Sequence, residues 1–160
     1  MIIDEYFDSI AKPILEDEKY KQLEALVAHS DFSVYDHSLY VAIRSYVYAK
    51  NKGLDLDYSS LIRGALLHDY YLYDWHKPHK GHRLHGFRHP YFALHNAKRD
   101  FVLNDKEKNI IKSHMWPLTL FTFPTSKEAW IVMHQDTVEA FYETKSCKNK
   151  LILPKLVKLR

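Results

Sequence analysis

Apolar residues along this chain recur mostly at three- and four-residue spacing, and no segment alternates apolar and polar residues strongly enough to read as a strand. The breaks between periodic segments carry helix punctuation. "DEYFDSIAK" predicts a short helix that stops near Pro13, and Pro13 then opens a second, "PILEDEKYKQLEALVAHS", whose Leu23, Leu26 and Val27 keep helical spacing. A third, "FSVYDHSLYVAIRSYVYAKNKG", has Ser33 or Asp36 as N-cap and Gly53 just past its end. Asp57 caps a fourth, "DYSSLIRGALLHDYYL". A polar loop is expected from about Asp74 to Arg88. "HPYFALHNAKRDFVL" then begins a fifth helix with Pro90 in its first turn, and Asn104 caps a sixth that ends before Pro117. An apolar connection, "PLTLFTFPTS", leads to a seventh helix capped by Ser126. The closing "LILPKLVKLR" fits helix or strand equally. The expectation is an all-α bundle of about seven helices.

Composition adds bounds. The 160 residues are enough for one domain with a real core, expected to span 1–160 with its core at about 35–143. A hydrophobic share of 46% with 27% charged residues is that of a soluble globular protein. No apolar run approaches the roughly 18 residues that a membrane span requires, and the acidic N-terminus does not read as a signal peptide. One cysteine, Cys147, allows no internal disulfide, and the expected location is the cytoplasm. From 144 to 160 the chain carries six basic residues and no acid, while the rest is net negative. The body therefore has no nucleic-acid-binding character.

Polar residues inside the apolar stripes carry the functional signal. On the third helix Val34, His37, Val41 and Tyr48 share a face; on the fourth, Leu61, Ala65 and His68 do, followed by Asp69. His114 lies one turn after Ile110 or Ile111, and Met133, Asp136 and Ala140 line up on the last helix. Taken singly, each has an ordinary explanation: a core histidine bonded to a carbonyl, or Asp136 paired with Arg44 or Arg63. Four helices offering such groups together point to the ligand shell of a metal site, since a cation neutralises buried carboxylates and orients several imidazoles at once.

These residues resemble a family. His37 followed by Val41-Ala42, "LLHD" at His68-Asp69 and the late Asp136 resemble the HD-domain superfamily of metal-dependent phosphohydrolases, over about 35–143. "HPYFA" at His89 and the later His114 are similar to the branch with two metals, as in small bacterial HD proteins. Cyclic-dinucleotide enzymes of that branch carry glycine and lysine soon after the HD pair. "HDYYLYD" has neither, nor the Glu-Asp pair of alarmone hydrolases. The resemblance implies an HD-type helical bundle. It also implies two divalent ions, Fe or Mn favoured and Zn, Mg or Ni as further candidates. His37, His68, Asp69 and Asp136 would hold the first ion; Asp69 would bridge to the second, completed by His89 and His114. A hydroxide between the metals would attack phosphorus, with Asp69 and Asp74 as catalytic residues, Asp74 as proton donor.

The implied substrate is a small phosphoester or phosphoanhydride, a nucleotide foremost. Arg88, His85, Lys77 and Arg83 are the expected substrate contacts, with Lys80 in the same loop. Trp75, Tyr73, Phe87 and Trp116 are candidates to stack on a base. Membrane and nucleic acid are not expected partners, and a homo-oligomer stays open. Two other readings remain. One is a nucleotide sensor with an HD site and little turnover. The other is a metal buffer built on the third-residue repeat His76, His79, His82, His85, whose spacing in a loop fixes no coordination geometry.

Overall fold

The computed structural model describes residues 4–28, 32–74, 76 and 84–145. These form six α-helices and one 3-10 helix: α1 (Glu5–Leu15), the 3-10 helix (Tyr20–Ala25), α2 (Val34–Asn51), α3 (Tyr58–Leu67), α4 (His85–Asp100), α5 (Asp105–Ser113) and α6 (Lys127–Lys145). Among the described residues there is no strand beyond an isolated bridge between Val27 and Ser33. No helix among them is long and apolar enough to cross a membrane. Of the expected basic tail at 144–160, Thr144 and Lys145 end α6, and 146–160, Cys147 included, lie outside the described residues.

Local chemistry sets most helix starts. Ser33 accepts from Asp36 N at 3.0 Å, Asp57 from Ser60 N at 3.0 Å and Ser126 from Ala129 N at 3.1 Å. Asn104 and Glu107 form a reciprocal capping box. Gly53 follows α2 with φ 61°, a backbone that favours glycine.

Several boundaries differ from the expected ones; α3, read through Leu72, ends at Leu67, and α4, read through Leu103, ends at Asp100. α1 runs through Pro13, because its buried face is Phe7, Ala11 and Ile14, and burying Ile14 keeps the helix turning past the proline. The segment behind it is not a long helix. The Asp17 carboxylate accepts from Lys19 N and Tyr20 N and starts a tight turn instead. α4 begins at His85 rather than His89. Leu84 takes a left-handed backbone (φ 62°), and its carbonyl receives Phe87 N and Arg88 N, nucleating the helix early. The loop expected to end at Arg88 therefore ends before His85, and its residues 75 and 77–83 lie outside the described set.

α3 is the centre of the bundle. It packs against α1, α2, α4, α5 and α6, and Leu61, Ile62, Ala65, Leu66 and Leu67 are wholly buried. The core also takes in Phe7, Ile14, Tyr20 and Leu23, so it starts well before residue 35. Where α3 passes α5 the contact is at backbone range. A Cβ on Gly64 would come within 2.5 Å of Ile110 Cδ1, so only glycine permits this approach. The end of α3 is pinned from outside: Tyr20 donates to Leu66 O at 2.7 Å, and Asn96 of α4 donates to Tyr70 O and Tyr71 O. His68 and Asp69 sit between these anchors.

Candidate metal centre

The six residues expected as ligands converge. His37 comes from the first turn of α2, His68 and Asp69 from the end of α3, His89 from α4, His114 from the end of α5 and Asp136 from α6. All six are buried. Three groups, His37–His68–Asp69, His68–His114–Asp136 and Asp69–His89–His114, place one ligand atom per residue within 4.8 Å of one another.

Asp69 organises the cluster. Its Oδ2 faces His37 Nε2 at 3.9 Å and His68 Nε2 at 3.7 Å, while its Oδ1 faces His89 Nε2 at 3.2 Å and His114 Nε2 at 3.4 Å. Asp136 Oδ1 lies on the His37–His68 side, 3.0 and 3.5 Å from their Nε2 atoms. One carboxylate thus spans two halves of the cluster, a His37–His68 half-site and a His89–His114 half-site, which the group His68–His114–Asp136 also links.

The outer ring nitrogens fix which atoms face inward. His68 Nδ1 is 2.7 Å from Ala65 O, His89 Nδ1 3.0 Å from His85 O and His114 Nδ1 2.8 Å from Ile111 O. A carbonyl only accepts, so each Nδ1 carries a hydrogen and Nε2 is the nitrogen each ring turns to the centre. His37 Nδ1 faces Glu143 Oε2 at 3.0 Å instead. An outer partner on the far nitrogen is the usual way a metal-binding imidazole is oriented. The donor set fits a cation on further counts. His68 Nε2 and Asp69 Oδ1 are buried with no hydrogen-bond partner among the described residues. The Nε2 atoms of His89 and His114 approach to 2.7 Å, a repulsive contact of two lone pairs unless a proton or cation lies between them.

Electrostatics divides the centre. Burial pushes the Asp69 carboxyl up, but His68, His89 and His114 overcome it and hold the group well below the usual carboxylate range. Burial likewise raises Asp136, and His37 and His68 reverse it, leaving it far below that range. Burial lowers His37, yet Asp136 and Glu143 outweigh it and hold the imidazole well above its usual value. His68 is also raised, by Asp69 and Asp136 against burial. His114 is lowered, with burial the largest cause and the neighbouring His89 and His68 adding to it.

Neither arginine weighed as a partner of Asp136 pairs with it. Arg44 lies 3.2 Å from Glu139, and Arg63 donates to Glu107 at 2.6 Å. Tyr48, expected to share the buried face of His37, is 41% exposed although the helical period keeps it on that face, so the elements packed on α2 do not cover it there. Glu139 and Glu143 had not been singled out, although they follow Asp136 at i+3 and i+7 on α6 and both are buried.

A cleft of about 560 Å³ opens over the cluster. Asp69, His89, His114 and Asp136 form its floor; Tyr71, His85 and Gly86 line one part and Met115, Trp116, Pro117 and Leu118 another. His85 thus reaches the cleft, stacked on His89 at 4.6 Å between ring centres and 2.9 Å from the Tyr73 hydroxyl. Burial and Asp69 push that hydroxyl up to about 12. Trp116 is the stacking candidate brought to the cleft, braced from behind by Trp130 and Phe123. Arg88 is not among the lining residues. α4 already turns through it, so it points about 100° away from His89, and its guanidinium lies over Phe92. Asp74 is not among them either: its carboxylate accepts from His76 N at 3.0 Å. Lys77, Lys80, Arg83, Trp75, His79 and His82 lie outside the described residues. His76 is exposed and belongs to none of the metal-capable groups.

Fold and site together define an all-helical protein with a buried cluster of histidines and aspartates able to hold metal. No family model matches the chain, and no curated protein or solved structure matches it.

Proposed function

We propose that this chain is an HD-type metal-dependent phosphohydrolase that uses two divalent ions to cleave a small phosphoester or phosphoanhydride, a nucleotide foremost. The observation that carries the reading is the Asp69 carboxylate, whose two oxygens face two separate imidazole pairs. His37, His68, Asp69 and Asp136 would hold one ion, and Asp69, His89 and His114 the other. Imidazole and carboxylate donors without thiolate suit Fe or Mn. Ions bound there supply a nucleophile by lowering the pKa of water and neutralise charge on the phosphoryl oxygens.

The chain's own groups account for the remaining tasks. Nδ1–H bonds to backbone carbonyls and to Glu143 hold the imidazoles in register before substrate arrives. α4 begins at the cleft with no carboxylate in its first turn and with Gly86 on the lining, so its N-terminal dipole favours an anionic group. His85 stands beside the floor as a phosphate contact. Trp116 and Leu118 offer the body of the substrate an apolar, partly aromatic wall, which supports a nucleoside over a small polar alcohol.

The test is elemental analysis of protein purified without chelator. It is paired with assay of bis-p-nitrophenyl phosphate and a nucleotide panel, including dinucleoside polyphosphates, with Mn or Fe added. Two ions per chain and release of product are expected. Two ions with no product from any substrate, despite nucleotide binding, would replace the enzyme with a sensor; no bound metal would sink both.

A further inference from the structure

We infer that Glu143 is a positioning residue for His37 that makes the His37 half-site the tighter of the two, so that metal loads in order. The inference rests on the metal reading above and concerns the protein's affinity for the ions rather than the reaction.

Two features set the half-sites apart. The first is donor count. The His37 side gathers two imidazoles, Asp69 Oδ2 and Asp136 Oδ1 at 3.0 and 3.5 Å from the ring nitrogens, while the other gathers two imidazoles and Asp69 Oδ1, with Asp136 farther off, within 4.8 Å of His114. The second is the partner behind each ring. His68, His89 and His114 lean on neutral carbonyls, and His37 alone among the four leans on a carboxylate, Glu143 Oε2 at 3.0 Å. A carboxylate there pulls the Nδ1 hydrogen toward itself and makes Nε2 a stronger electron donor.

The surroundings of Glu143 argue against a purely structural role. The residue is 1% exposed, and its Oε1 is buried with no hydrogen-bond partner among the described residues. Arg44 is engaged with Glu139. A buried carboxylate without a cation is costly. The group that offsets this cost is His37, whose Nδ1 lies 3.0 Å from Glu143 Oε2 and whose ring is positive both when protonated and when it holds an ion. α6 delivers both parts: Asp136 as donor to the ion and Glu143 seven residues on, behind its neighbour.

The test is calorimetric titration of the metal-free full chain with Mn2+, for the wild type, E143Q, H37A and the double variant. The wild type should show two steps. In E143Q the tight step should weaken about 10- to 100-fold, the range for loss of an outer partner, with the weak step unchanged. H37A should abolish the tight step, and E143Q should add little to it. Thermal unfolding with and without Mn2+ separates positioning from folding. A structural role lowers both midpoints equally, whereas the positioning role shrinks the increment that metal adds. An unchanged tight step in E143Q, or equal weakening of both steps, overturns the inference while leaving the metal reading standing. A wild type that binds no Mn2+ overturns the metal reading itself and this inference with it.

Discussion

The Nε2 atoms of His89 and His114 lie 2.7 Å apart, each ring having committed its Nδ1 hydrogen to a backbone carbonyl. Two imidazole lone pairs held that close repel. A cation shared between them turns the repulsion into attraction.

That relation predicts a large effect of metal on stability. At free metal near a thousand times the dissociation constant, linkage supplies about 4 kcal/mol, which for a chain of this size is roughly 10 °C in the unfolding midpoint. Thermal scans of chelator-treated protein before and after Mn2+ is restored read this directly. An unmoved midpoint contradicts a metal held at this pair.

Asp69 is the carboxylate common to both half-sites, so Asp69→Asn should remove both ions. Affinity should fall more than about 100-fold, beyond what outer partners produce. Replacing His76, which lies outside the cluster, should change nothing. Metal content per chain decides between the cluster and the histidine repeat, because a buffer built on the repeat would reverse the two results.

The pH dependence carries opposite signs for the two residue types. The carboxyls of Asp69 and Asp136 are held below the ordinary value near 3.9. Their contribution to the metal-free protein is present above that value and is lost as pH falls through their lowered values. His37 and His68 are raised above about 6.5. Theirs is present below that value and lost as pH rises through the raised ones. Metal-free stability should therefore decline on the alkaline side, while Mn2+ affinity rises there because binding must expel the imidazole protons. Midpoints across pH, and calorimetry in buffers of different ionisation heat to count released protons, check both arms.

At Gly64 a methyl group would collide with Ile110, so Gly64→Ala should cost about 1–3 kcal/mol by overpacking. Urea unfolding measures it. Adding Ile110→Val, which deletes the Cδ1 nearest the new methyl, should recover part of the loss. If the double variant is no better than the single one, the collision is not the cause.

How much of this was legible in the sequence depends on how local the cause is. Ser33, Asp57, Asn104, Ser126 and Gly53 act within a few residues, and each marks a boundary where the pattern placed it. Pro13 does not break its helix because the burial of Ile14 is a long-range effect. The early start of α4 depends on the left-handed turn at Leu84, a leucine with nothing in its residue type to announce it. The convergence of His37, His68, Asp69, His89, His114 and Asp136 was readable as polar groups inside apolar stripes. Glu139 and Glu143 obey the same spacing, but glutamates in the last turns of a helix with few apolar residues around them usually face solvent. Their burial is set by α2 across from them.

His114 closes α5 and the chain continues directly into Met115, Trp116, Pro117 and Leu118, so under the proposed function the residue that would touch the ion and those that would touch the substrate's body are one uninterrupted strip of backbone. Recognition and reactivity therefore share a lever. A substrate too large for the strip displaces the floor as well as the wall, and reshaping Trp116 or Leu118 to admit it would disturb the ion's seat. Gly86 lies against Leu118 and Tyr71 against His89, so changes there reach the same strip and the same cluster.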